Sequence, residues 1–223
     1  MDTNTPQSVC IPRDIQLKAS VEHLQSMNQE ILNGYMILGK YSKTVTVFGS
    51  ARTNAEDFYY QKAKELGDKI SRAGYAVVTG GGHGIMAAAN QGAFEAGGAS
   101  IGFNIELPQE QNLNPYVTES YSFNHFAPRK IMMTLFAHAY IYFPGGFGTL
   151  DELGEIMTLT QTKKTNLAPI ILFDSSYWAD LDVFVKNHML KRGLISDGDQ
   201  DLYTITDSVD EIVQAINSNQ VYC

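Results

Sequence analysis

Residues Phe143 to Glu152 read F-P-G-G-F-G-T-L-D-E. The segment before them, Ala137 to Phe143, is short and apolar, as a buried strand is. The segment after them sets Leu150, Leu153, Ile156, Met157 and Leu159 at helical spacing. The pattern predicts a strand, a sharp turn through Gly145, Gly146 and Gly148, and a helix from about Thr149. Glycine admits φ > 0 and lets a ligand come close to bare backbone. A helix start aims unpaired N–H groups and its positive dipole end into the same space. The turn therefore reads as an anion site, with phosphate the natural occupant. Asp151 and Glu152 add carboxylates in the first helical turn. A carboxylate there either complements the dipole or, beside a bound phosphate ester, is a reacting group.

Outward from this turn, strand and helix alternate. Thr44 to Phe48, Tyr75 to Thr79, Ala99 to Ile105, Tyr121 to Phe123, Pro169 to Phe173 and Leu202 to Ile205 read as further strands. Helices are predicted over Ala55 to Ala73, Ile85 to Ala96, Pro128 to Phe136 and Tyr177 to Leu190. Asp207 reads as the cap of a last helix, and Pro128 as the first residue of its own. The fold class is α/β: a Rossmann-like, doubly wound, mostly parallel sheet flanked by helices. An amphipathic helix over Asp14 to Leu38, with a break expected at Ser26 or Gly34, forms an N-terminal helical extension. The expected division is a tail and helix over 1–42 and a single nucleotide-binding domain over 43–223. Residues 106–120 form a long loop of the kind that often serves function.

At 223 residues with 44% hydrophobic and 18% charged residues, the composition is that of an ordinary globular chain. Sixteen Lys and Arg against 24 Asp and Glu give a net charge of −8, which argues against a nonspecific nucleic-acid or membrane binder. Cys10 and Cys223 stand near opposite termini and make neither a disulfide framework nor a metal site. No segment reads as a signal peptide or a membrane span, and a cytoplasmic location is the expectation.

Two further constellations carry chemistry. Gly80-Gly81-Gly82-His83-Gly84 follows a strand and opens a helix, and Gly82-x-Gly84-x-x-Ala87 fits the dinucleotide fingerprint. Glu106 lies about 20 residues on, where a ribose-binding acid is sought. However, this is the second βα turn, whereas the fingerprint belongs in the first. The turn is either a nucleotide contact or a purely structural one. Arg129-Lys130 offers a fork and a point charge for an anion, or else a solvated surface pair. The five histidines show no metal spacing; His138 reads as core, and His83 either faces a ligand or is a satisfied loop residue. There is no G-x-S-x-G elbow to support serine-hydrolase chemistry.

Taken together, P-G-G-F-G-T-L-D-E at 144–152, G-G-G-H-G-I-M at 80–86 and F-A-P-R-K at 126–130 resemble the three signatures of the LOG (Lonely Guy) family, whose members are often labelled lysine decarboxylase-like. The resemblance covers about residues 43–200 and implies a Rossmann-like homodimer. It implies hydrolysis of the N-glycosidic bond of nucleoside 5′-monophosphates to free base and ribose 5-phosphate, with no metal or redox cofactor. By the same resemblance Arg129 and Glu152 take the catalytic positions. Gly145, Gly146, Gly148 and Thr149 would hold phosphate, and Gly81, Gly82 and Met86 would line the nucleotide site. Ser50 and Lys130 are grouped with them as substrate-binding.

The plant-type pattern M-H-x-R-K is here Phe126-Ala127-Pro128-Arg129-Lys130, and Asp151 stands for the first glutamate of the usual pair. The first departure, which lacks the histidine before the arginine, favours AMP or a related purine monophosphate over a cytokinin ribotide. A decarboxylase would need pyridoxal phosphate on a lysine, and no lysine stands out. Two other readings are a nucleotide or molybdenum-cofactor carrier of the same fold and an NAD-dependent enzyme.

Overall fold

The computed structural model describes residues 12–106 and 112–219. The expectations for the N-terminal tail, for Cys10 and Cys223, and for positions 107–111 of the 106–120 loop lie outside these residues. The elements run α1 (Arg13–Leu38), β1 (Thr44–Phe48), α2 (Phe58–Arg72), β2 (Ala76–Thr79), α3 (Ile85–Glu95), β3 (Ser100–Ile105) and β4 (Glu119–Phe123). They continue with α4 (Phe126–Thr134), β5 (Ala137–Tyr142), α5 (Phe147–Gln161), β6 (Ile170–Phe173), α6 (Ser175–Phe184), β7 (Tyr203–Thr206) and α7 (Val209–Ser218).

The strands form one sheet in the order β4-β3-β2-β1-β5-β6-β7, and every pairing is parallel. A parallel sheet with helices on both faces buries both faces of its central strands, which explains their unbroken apolar runs. Side chains alternate between two cores. Val45, Val47, Val77, Ile141 and Ile171 pack against α2, α3 and α7. Phe48, Val78, Tyr140, Tyr142 and Leu172 pack against Met132 and Met133 of α4, Leu153 and Ile156 of α5 and Trp178 of α6.

Several boundaries differ from those predicted. The N-terminal helix is continuous through Ser26 and Gly34. Gly34 is there for packing, since a Cβ would come within 2.4 Å of Met132. The C-terminal half of α1 is anchored through the buried Glu30, Gly34 and Leu38, while Ile15, Leu17, Val21 and Leu24 of its N-terminal half are exposed. Helix α4 begins at Phe126, so Pro128 is its third residue, where a missing N–H is still harmless. It ends at Thr134, and the chain then turns through Phe136 at φ 61°. The last helix is capped by Ser208, whose hydroxyl accepts from the Glu211 N–H. Asp207 instead accepts from the N–H and hydroxyl of Ser175.

Helices α2 and α3 meet through glycines. A Cβ on Gly92 would lie 2.0 Å from the Lys64 carbonyl oxygen, and one on Gly67 would lie 2.1 Å from that of Ala89. Both obstacles are backbone and cannot rotate away. Gly92→Ala is therefore expected to destabilise the chain by about 1–3 kcal/mol despite alanine's better helix propensity. A urea midpoint equal to or above that of the parent would contradict this close approach.

Candidate active site

After β1 the chain builds outward through β2, β3 and β4, then returns to the other side of β1 for β5. The carboxyl ends of β1 and β5 thus flank a topological switch point, where open α/β sheets bind ligands. Three βα turns are tied together there. The Phe143 N–H donates to the Phe48 carbonyl at 2.9 Å, Ser50 to Pro144 at 3.0 Å and Ile85 to Ser50 at 2.9 Å. Above them opens a cleft of about 830 Å³. Its walls are Gly49 to Thr53 after β1, Met86 of α3, Ile105 of β3, and Phe126 and Arg129 of α4. Pro144 to Thr149 and Glu152 of the β5–α5 segment, with Tyr59 and Tyr177, complete them.

The decisive turn starts its helix earlier than the sequence suggests. Gly146 is the residue before α5, and Phe147, Gly148 and Thr149 make the first turn. Their N–H groups are those a helix start leaves unpaired. None of the three glycines here has positive φ. A Cβ on Gly145 would strike the Thr149 hydroxyl oxygen at 2.1 Å, whereas Gly146 and Gly148 face open space. Gly145 thus serves packing, and the other two leave backbone bare toward the cleft. The Tyr177 hydroxyl donates to the Gly145 carbonyl at 2.6 Å and fixes the turn from the side of α6.

Arg129 and Glu152 are brought together from α4 and α5. Arg129 is 9% exposed; its Nε donates to the Phe103 carbonyl at 2.8 Å, and its Nη1 lies 3.5 Å from Glu152 Oε1. Gly80 makes room for it, because a Cβ there would lie 2.2 Å from Arg129 Nη2. The Tyr142 hydroxyl donates to the Glu152 carbonyl at 3.2 Å and anchors α5 to the sheet. Burial pushes the Glu152 carboxyl up to about 7, against the pull of the Arg129 charge; Asp151 adds to the rise. Burial likewise lowers the pKa of Arg129, with Glu152 opposing. A carboxyl poised near neutrality in a cleft, beside a guanidinium, suits proton transfer.

Of the predicted site residues, Ser50, Met86, Arg129, Gly145, Gly146, Gly148, Thr149 and Glu152 all line the cleft. Gly81, Gly82 and Lys130 do not. Gly81 has φ 70° and packs on Gly102 and Leu113. Asn114 holds this turn by donating its side-chain amide to the Gly81 and Gly82 carbonyls at 3.1 Å each. Gly84 has φ 64° and is pressed against the backbone of Ser50 and Ala51. Gly81 and Gly84 of the second glycine turn thus make close packing contacts, while Met86 just after it faces the cleft. Glu106 and His83 are exposed and outside the cleft wall, while His138 is a core residue. Lys130 lies 2.7 Å from Asp151 and 3.0 Å from Glu155, bridging α4 to α5. Sequence reasoning missed Gly80, Arg52, Tyr59, Phe126 and Tyr177. Arg52 had a signal, since it sits in the first βα turn; the tyrosines had none.

This fold and site define a Rossmann-like α/β protein with a cleft at the sheet's switch point and a buried Arg–Glu pair. The chain belongs to the LOG family, through the family model described as possible lysine decarboxylase, which matches residues 86–216. Cytokinin riboside 5′-monophosphate phosphoribohydrolase of Rhodococcoides fascians is 27% identical over 182 residues, covering 79% of this chain and 90% of that one. An Arabidopsis thaliana protein of the same name is 28% identical over 177 residues, covering 78% and 82%. The solved molybdenum cofactor carrier protein of Chlamydomonas reinhardtii shares the fold, with TM-score 0.60, 22% identity and coverage of 81% and 99%. Among the described helices none is long and apolar enough to cross a membrane.

Proposed function

We propose that this protein is a nucleoside 5′-monophosphate phosphoribohydrolase that cleaves the N-glycosidic bond of AMP or a related purine monophosphate. The observation that carries the reading is the buried Arg129–Glu152 pair beside the bare backbone of the β5–α5 turn. Binding a phosphate alone has no use for a carboxylate at that place. Breaking the bond from C1′ to the base builds oxocarbenium character at C1′. The Glu152 carboxylate stabilises that charge and takes a proton from the attacking water. Water supplies the hydroxyl of ribose 5-phosphate, and the proton that Glu152 takes from it is returned, through solvent, to the departing base, so the carboxylate is restored for the next turnover. Arg129 orients Glu152 and meets ribose oxygens. The turn at Gly145 to Thr149 anchors the 5′-phosphate, so binding energy remote from C1′ positions the reacting centre.

Among the described residues the cleft wall includes no lysine that could carry pyridoxal phosphate, which speaks against decarboxylation. Phe126, Met86 and Ile105 give the cleft wall apolar surface that suits a purine ring. The reading includes a homodimer, for which the exposed apolar side chains of α1 offer a surface.

The test is product analysis after incubation with AMP, other nucleoside monophosphates and an isopentenyladenine ribotide. Free base with ribose 5-phosphate supports the reading and ranks the bases. Nucleotide binding without turnover across the panel would leave a carrier with the family's pocket. Gly80→Ala is expected to lower kcat/KM at least tenfold by displacing the Arg129 guanidinium, because small misplacements of such a group are costly. Unchanged kinetics in this variant would mean that Arg129 does not need its observed position.

A further inference from the structure

Three cationic side chains lie near the β5–α5 turn, and two of them are already engaged. Arg129 gives Nε to the Phe103 carbonyl and faces Glu152. Lys130 is held by Asp151 and Glu155 on the far side of the pair. Neither is free to neutralise a dianion at the start of α5.

Arg52 is differently placed. It lies in the β1–α2 loop, it is exposed, and it lines the cleft. Among the described residues no carboxylate or carbonyl takes its guanidinium. Its backbone is nonetheless held: the Arg52 N–H donates to the Ser50 hydroxyl at 3.1 Å. The Ser50 N–H in turn donates to the Pro144 carbonyl at 3.0 Å, which opens the glycine turn. β1 and β5 are neighbours in the sheet, so their loops stand about one strand spacing apart, roughly 5 Å. Across that gap Gly146 and Gly148 present backbone to open space.

We infer that Arg52 is a further substrate-binding residue, supplying the fork that grips a phosphate monoester seated against the β5–α5 turn. The inference rests on the phosphoribohydrolase reading and gives its phosphate subsite a charge that Arg129 and Lys130 do not provide. A guanidinium matches two phosphate oxygens at once, and a loop arginine on a fixed turn keeps its reach without a competing carboxylate. Selectivity for nucleotides over nucleosides then resides in Arg52, and selectivity for the reacting bond in Arg129 and Glu152.

Calorimetric titration of ribose 5-phosphate, AMP and adenosine into the parent, Arg52→Gln and Arg52→Lys tests this. Arg52→Gln is expected to weaken ribose 5-phosphate and AMP by about ten- to a hundredfold, and adenosine by less than about twofold. Arg52→Lys should fall between, since lysine restores the charge and not the fork. The side chain is exposed, so unfolding temperatures should match. Parent-like affinity of Arg52→Gln for ribose 5-phosphate overturns the inference and leaves the hydrolase reading standing. Equal weakening of adenosine and AMP also overturns it, because the residue would then not act on the phosphate. A parent chain that binds none of the phosphates overturns both.

Discussion

Glu152→Gln is expected to lower the rate of base release from AMP by about a thousandfold, with nucleotide affinity changed by only a few-fold. The amide keeps the size of the carboxyl but can neither carry the charge opposite C1′ nor accept the proton of water. The same residue sets the pH dependence. Its carboxyl titrates at about 7 because burial disfavours the charge more than Arg129 favours it. The ionised form grows as pH rises, so kcat/KM should climb through an inflection near 7 and then level. The phosphate of the substrate also titrates, near pH 6, so the inflection alone does not identify its owner. Asp151→Asn does so. Asp151 raises the Glu152 pKa, and its loss leaves the nearby Lys130 charge offset by Glu155 alone. The inflection should therefore move to lower pH in Asp151→Asn and vanish in Glu152→Gln. An inflection that stays in place in Asp151→Asn would assign it to the substrate.

Arg129→Ala is expected to cost at least a hundredfold in kcat/KM, in the range seen when a single preorganised charge-stabilising donor is removed. Removing the guanidinium takes away the main influence that keeps the Glu152 pKa down, so the residual activity should rise only at higher pH. The fold should tolerate the change better than most broken buried pairs do. Near neutral pH the stranded carboxyl can take up a proton and need not stay buried as an anion. Arg129→Lys should not rescue. One ammonium cannot reach the Phe103 carbonyl and Glu152 with the two fixed N–H directions that the fork supplies. Parent-like kcat/KM in Arg129→Lys would reduce Arg129 to a counter-charge.

Much of this molecule was open to reading from local pattern. The five inner strands follow from short apolar runs between helical spacings, because a parallel sheet covered on both faces needs nothing finer than such runs, whereas the half-exposed edge strands β4 and β7 carry a weaker pattern. The β5–α5 turn was legible because strand, glycines and helix are contiguous, and Glu152 because it sits one helical turn into α5. Boundaries were weaker. Pro128 can occupy any position whose N–H needs no helical partner, so its presence does not say which position it takes. Asp207 and Ser208 are both fit to cap, and the choice went to Ser208 because Asp207 is used by Ser175 across the β6–β7 edge.

The sequence by itself determined the class of fold, the switch-point turn and the identity of the two groups that meet there. Only the tertiary structure decided what the other polar and glycine positions are for. Gly80 is small because Arg129, 49 positions later, lies against it, and Lys130 turns from the cleft because Asp151 and Glu155 arrive on another helix. Arg52 is left uncommitted for the same kind of reason. Hydrophobic periodicity is written into neighbouring residues, whereas the partner of a charge or the obstacle facing a glycine is set by which distant segments the sheet order brings together.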